Sequence, residues 1–207
     1  MASVGESVRK SLQDFDLGDI DFSMLHACNA VDGTAKKLFP KMKVAERFTR
    51  VLRDNYQILG PFGIPGINLV ETRWPVKVQS PKASGGLPDA ADVIYGIHRC
   101  AHGHGDEMPA GFELIRNANG ASQNNWAKIE KGQVQFFDNL IFGMLAVAVT
   151  SPINAAQSST DGCHLTLHEM KFNVKDWWGK REELLAILSQ IDFPVITIDF
   201  AHMMDLE

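Results

Sequence analysis

Residues 95–107 read Tyr-Gly-Ile-His-Arg-Cys-Ala-His-Gly-His-Gly-Asp-Glu, and hold three of the seven histidines beside an arginine and two carboxylates. Arg99 and His104 form an R-x4-H pair with a direct chemical logic. A guanidinium neutralises a phosphate through two parallel hydrogen bonds, and an imidazole moves protons near neutral pH. A base so placed can deprotonate an RNA 2′-hydroxyl, which then attacks its own phosphate without a metal and leaves a 2′,3′-cyclic phosphate. Five residues along a regular helix set two side chains roughly 140–150° apart. Arg99 and His104 therefore converge only if Gly103 unwinds the helix or if they meet across a partner protomer. His102, three residues from Arg99, shares its face more closely and rivals His104 for the catalytic role.

Two other readings of the segment stay open. His102-Gly103-His104-Gly105-Asp106 spells HxHxD, and His98 precedes His102 by one helical turn, so His98, His102, His104 and Asp106 have donors suited to zinc or a dinuclear pair. The spelling resembles the metallo-β-lactamase signature but departs from it at Glu107, and helical patterns rather than strands precede it. His164 and His168 complete such a site only if the chain folds them nearby. In the plainest reading, the histidines cap a helix C-terminus, where the dipole favours them, and Arg99 pairs with Asp106 or Asp92.

The elements that must position this segment are mostly helical. Asp19 caps a helix whose apolar positions run from Phe22 to Phe39, and Pro40 ends it. A second helix begins near Lys43, with Val44, Phe48, Val51, Leu52 and Ile58 on one stripe, and stops at Gly60. Glycines and prolines punctuate 60–87, where short extended pieces fit within Ile67–Val78. Glycines 60, 63 and 66 lack the Lys-Ser/Thr of a phosphate loop. Leu87-Pro88-Asp89 starts the helix that carries Arg99. Phe112–Ile115 and Trp126–Ile129 read as a hairpin, Gln135–Thr150 as the most apolar helix, and Leu165–Phe172 as extended chain. Val174–Ser189 reads as a helix with Trp177, Leu184, Leu185 and Leu188 inward, and Val195–Phe200 as a last strand. The expected fold is mainly α, a helical bundle with a minor β-sheet in the C-terminal half. We expect a single domain, residues 1–207, with a helical core over about 19–150 and an elaboration over 151–207.

The wording Leu-His-Ala-Cys-Asn-Ala-Val-Asp-Gly-Thr-Ala-Lys-Lys-Leu-Phe-Pro (25–40), Val44-Ala-Glu-Arg-Phe48 and the R-x4-H pair near a helix end resemble the HEPN superfamily of helical ribonucleases and nucleotide-binding domains. The resemblance covers roughly residues 20–107. It implies a metal-independent endoribonuclease that needs no cofactor. Arg99 would bind the scissile phosphate, His104 would serve as general acid and base, and Lys36, Lys37, Arg47 and Arg50 would guide the RNA. It also implies a homodimer whose two motifs meet, and a setting in host defence or stress. The alternative within the same resemblance is a noncatalytic module that binds a nucleotide or a partner protein.

Composition narrows the remainder. With 207 residues, 45% hydrophobic and 22% charged, the chain can build a full core without disulfides. Its net charge of −5 argues against broad nonspecific nucleic-acid binding. Locally, Lys36, Lys37, Lys41, Lys43, Arg47, Arg50 and Arg53 face one acid, Glu46, so this stretch is either a solvated helix face or an anion-facing patch. Cys28, Cys100 and Cys163 form no CxxC pair; Cys28 and Cys163 read as small core residues, and the set suits a reducing compartment. Met1–Leu17 is polar and acidic, with no signal-peptide run, and Leu140–Val149 is about half the ~20 residues of a membrane span. A cytoplasmic protein with no membrane partner is expected. Asp32 and Lys36 form an i,i+4 pair unless Asp32 steadies a site arginine. One of Trp177 and Trp178 belongs to the core, leaving the other as a contact or base-stacking surface.

Overall fold

The computed structural model describes residues 3–79, 81–83, 87–99, 107–117, 127–159, 162–167 and 169–200. The polar first segment forms a helix. Val4, Val8 and Leu12 recur every four residues and are buried, giving α1 (Val4–Leu17) an apolar stripe. Ser3 caps its start by accepting the Glu6 amide at 3.1 Å, and Gly18 ends it at φ 83°. α1 lies along α2 (Ile20–Leu38), where Ser11 and Ser23 each donate a hydroxyl hydrogen bond to the other's carbonyl at 2.8 Å. This reciprocal pair satisfies two buried hydroxyls and fixes the register of the two helices.

α2 begins at the expected Asp19 cap, which accepts the Phe22 amide at 3.2 Å, and buries Met24, Ala27, Cys28, Ala30, Val31 and Ala35. The single helix expected from Lys43 to Gly60 is two: α3 (Val44–Arg53) and α4 (Tyr56–Gly63). The break falls at Asp54-Asn55, where the Asn55 side-chain amide donates to the Val51 carbonyl at 2.8 Å and competes with continuation. Gly60 does not stop α4, which runs through Pro61 and packs on α6 (Asn139–Thr150). That crossing is glycine on glycine: a Cβ built on Gly143 would lie 2.8 Å from the Gly63 Cα.

The irregular stretch after α4 tucks Trp74 and Val76 inward, with the Trp74 amide donating to the Pro88 carbonyl at 2.8 Å. α5 (Ala90–Val93) starts where expected, capped by Asp89, and continues as a π-helical turn, Ile94–Arg99. Within that turn Gly96 leaves room for Val78, which would stand 3.0 Å from a Cβ there.

The second half carries two antiparallel hairpins, β1 (Ala127–Glu130) with β2 (Gln133–Phe136) and β3 (His164–Leu167) with β4 (Met170–Asn173). Among the described residues, 112–115 do not pair with 127–129, and Trp126 of the expected hairpin lies outside them. Lys131-Gly132, with Gly132 at φ 76°, makes the tight turn instead and takes the first residues assigned to the apolar helix into β2. Ile115 contributes one parallel bridge to Phe137. The expected helix 174–189 is interrupted at Gly179, whose φ of 77° and contact with Ala155 exclude a side chain, and α7 spans Arg181–Leu188. The last expected strand contributes a single parallel bridge, Ile196 to Ile67. The fold is mainly α with a minor β component in the C-terminal half. One buried cluster runs from Val4 to Leu188. No helix among the described residues is long and apolar enough to cross a membrane.

Candidate anion-binding site

Three elements meet at Asp32. This residue lies in the latter half of α2, and its carboxylate takes two guanidinium groups from other elements. Arg47, one turn into α3, donates from Nε at 3.2 Å and from Nη2 at 3.0 Å to the same oxygen, Oδ1. Arg99, at the end of the π turn, sets Nη2 3.9 Å from the other oxygen, Oδ2. All three side chains are mostly covered, with 11% of Arg47, 22% of Arg99 and 19% of Asp32 exposed. Among the described residues two cations share one anion here, so one positive charge is left over in a partly desolvated place. The Arg99 Nε is buried and has no hydrogen-bond partner among the described residues. A covered cationic pair of this kind suits phosphate, because guanidinium offers parallel donors and loses little hydration on pairing.

The i,i+4 pair of Asp32 with Lys36 is not made; Asp32 steadies the arginines instead. Asp92 is not Arg99's partner either, being held by Arg53. The turn that ends at Arg99 has the wider i→i+5 winding of a π-helix, and residues 100–104, which set the angle between Arg99 and His104, lie outside the described residues. His102, His104, Asp106 and Cys100 lie outside the described residues. His98 lies within them, fully buried beside Phe136 at a 6.4 Å ring separation. Among the described residues no three His, Cys, Asp or Glu side chains gather as a metal set.

The four basic residues expected to guide RNA divide. Arg47 is in the centre just described, and Lys36 is exposed one turn beyond Asp32. Lys37 turns away and donates to the Asn154 side-chain oxygen at 2.8 Å. Arg50 lies 4.5 Å over the Phe39 ring and pairs with Asp54 at 3.5 Å. Elsewhere, Cys28 is in the core while Cys163 is partly exposed at its edge. Trp178 is buried, and Trp177 packs edge-on against Phe172 at 5.1 Å.

Sequence reasoning missed the node that holds this site in place. Arg53, at the end of α3, donates Nε and Nη2 to Asp89 at 2.6 and 2.9 Å and reaches Asp92 at 2.7 Å. Asp89 caps α5 through the Asp92 amide, while Asp92 accepts the Lys82 and Ala83 amides, each at 2.9 Å. The Tyr56 hydroxyl lies against the same turn and accepts the Ala91 amide at 3.1 Å. Burial opposes ionisation of Asp89, but the hydrogen bond from Arg53 and the Asp92 amide outweigh it and hold the carboxyl below its ordinary range. Burial, reinforced by the Asp89 charge, pushes the Tyr56 phenol well up. The helix start at Pro88-Asp89 was legible. Its partner on α3, 36 residues earlier, carried no local signal.

The fold and site thus define a mainly helical protein with a covered arginine pair at the junction of α2, α3 and the π turn. The chain belongs to the Rv1289 family, whose model matches residues 3–204. It is 39% identical over 201 residues to the uncharacterized proteins Rv1289 of Mycobacterium tuberculosis and Mb1320 of Mycobacterium bovis, covering 97% of this chain and 95% of each relative. No solved structure matches the chain significantly.

Proposed function

We propose that the chain binds a phosphate-bearing ligand at Arg47 and Arg99 and acts as a HEPN-like, metal-independent endoribonuclease in the cytoplasm. The observation that carries the proposal is the sharing of Asp32 by both arginines. It fixes two guanidinium groups at one partly covered point and leaves a net positive charge for a phosphodiester. Arg99 binds the scissile phosphate. His104 takes the proton of the 2′-hydroxyl; the 2′-oxygen attacks phosphorus, the bond to the 5′-oxygen breaks, and that oxygen leaves with a proton returned by the imidazole. His102 is the rival for this base.

A second reading is a noncatalytic module that binds a nucleotide. The fixing of Arg47 by two hydrogen bonds to Asp32 favours it, since an arginine held in place needs no base to bind a phosphate. Incubation of RNA with purified protein in EDTA separates the two, with Arg99→Met, His104→Ala and His102→Ala run in parallel. The nuclease reading predicts cleavage ending in 2′,3′-cyclic phosphate, lost in Arg99→Met and in one histidine variant. Cleavage equal in all four proteins contradicts it. No cleavage by wild type, with nucleotide binding that Arg99→Met removes, gives the binding module.

A further inference from the structure

The basic stretch between α2 and α3 is not uniform once each side chain is followed to its partner. Lys37, Arg50 and Arg53 are committed to Asn154, to Phe39 and Asp54, and to Asp89 and Asp92. Lys36, Lys41 and Lys43 are exposed, and none has a carboxylate within 4.0 Å among the described residues. These three lie in the chain between Asp32 and Arg47. Lys36 stands one helical turn from Asp32 on α2, Lys43 one turn before Arg47 on α3, and Lys41 in the connection between them. Lys43 occupies the cap position of α3, makes no side-chain cap, and sets its charge against the positive end of the helix dipole. Local stability does not account for a cation there. The surrounding chain is acidic, with a net charge of −5, so the free lysines form a local exception continuous with the covered guanidinium pair.

We infer that Lys36, Lys41 and Lys43 form a track for the backbone of a single-stranded RNA, leading over the α2–α3 corner into the Arg47–Arg99 centre. The ligand of this protein is therefore a strand engaged at several successive phosphates rather than a mononucleotide. This inference rests on the phosphate-binding reading of that centre. Free lysines suit such a track because a flexible ammonium follows a mobile backbone as a point charge, whereas the Asp32-held guanidiniums fix a single phosphate. The Phe39 ring at this corner is covered by Arg50, so the contact there rests on phosphate charge rather than on base stacking.

The experiment measures binding of a fluorescent 12-mer oligouridylate and of uridine monophosphate across a salt series. It compares wild type, the triple variant Lys36→Gln/Lys41→Gln/Lys43→Gln, and Arg99→Met. Each phosphate neutralised on a single strand contributes a slope of about −0.7 in log K against log salt. The triple variant is expected to flatten the oligomer's slope by about two and to weaken the oligomer at least tenfold more than the mononucleotide. An unchanged slope, or equal weakening of both ligands, overturns the track while leaving the arginine centre standing if Arg99→Met abolishes mononucleotide binding. Undiminished binding of both ligands by Arg99→Met overturns the centre and the track with it. Vesicles containing phosphatidylserine serve as a third probe. Lysine-dependent binding to them without oligomer binding would assign the corner to a membrane surface and overturn the RNA track.

Discussion

Arg53 is the residue on which the arrangement of the site most depends, although it is not part of the anion-binding centre. It compensates two aspartates whose side chains are only 5% and 3% exposed. Replacing it with methionine keeps most of the packing but strands buried negative charge, which costs roughly 3–5 kcal/mol. A urea titration at neutral pH should show that loss as a lower midpoint. The pH dependence carries a signature of its own. Asp89 is held below the ordinary carboxylate pKa of about 3.9, so the folded state releases its proton more readily than the unfolded chain. Its contribution to stability is complete above that range and fades as pH falls through the folded value. In Arg53→Met the burial penalty is no longer offset, the folded pKa rises above the unfolded one, and the sign reverses. Mild acid should then relieve part of the defect. Thermal melts of both proteins between pH 3 and pH 7 read this directly, and parallel curves would contradict the role given to Arg53. At this scale the sequence points to Arg99 and Arg47 as site residues and offers Asp32 as the partner of an arginine. Which cations were already spoken for depended on partners far along the chain, as with Lys37 and Asn154, 117 positions apart.

The elements were legible where a local signal acts alone. Asp19, Pro40 and the Pro88-Asp89 step all mark helix boundaries in the structure because capping and proline chemistry need only neighbouring residues. Boundaries set by competition were not. The Val44–Ile58 stripe continues through Asp54-Asn55, yet the Asn55 amide and the packing of α4 on α6 split it. Glycine likewise has two uses that a sequence does not separate. Gly132 and Gly179 provide positive φ, while Gly63 and Gly143 provide close approach between helices. Gly143→Ala sets a methyl 2.8 Å from the Gly63 Cα and 3.0 Å from the Leu59 carbonyl oxygen, backbone atoms that no side-chain rotation clears. The expected cost is about 1–3 kcal/mol, as for other overpacked cores. Denaturant titration should find it, whereas a helix-propensity effect alone would stabilise the alanine variant by up to about 1 kcal/mol.

At the scale of the whole molecule, α1 is the element whose importance the polar composition of Met1–Leu17 concealed. Its apolar residues are few but four apart, and the Ser11–Ser23 pair looks like ordinary surface polarity until both hydroxyls are found buried. A fragment of residues 19–207 lacks this cover over α2 and should lose the single cooperative unfolding transition of the full chain in calorimetry. Retention of a sharp transition would contradict the assignment of α1 to the core. The same architecture brings α2, α3 and the π turn to one point, and the proposed chemistry depends on that convergence. The most direct test is the set of arginine Nε–Hε resonances in an NMR titration with uridine monophosphate, assigned with Arg47→Lys, Arg53→Lys and Arg99→Lys variants. The account predicts saturable shifts of the Arg99 and Arg47 signals, with Arg53 unmoved because its donors are committed to Asp89 and Asp92. Shifts confined to Arg53, or no shift of Arg99 at saturating ligand, would contradict a phosphate site at this junction.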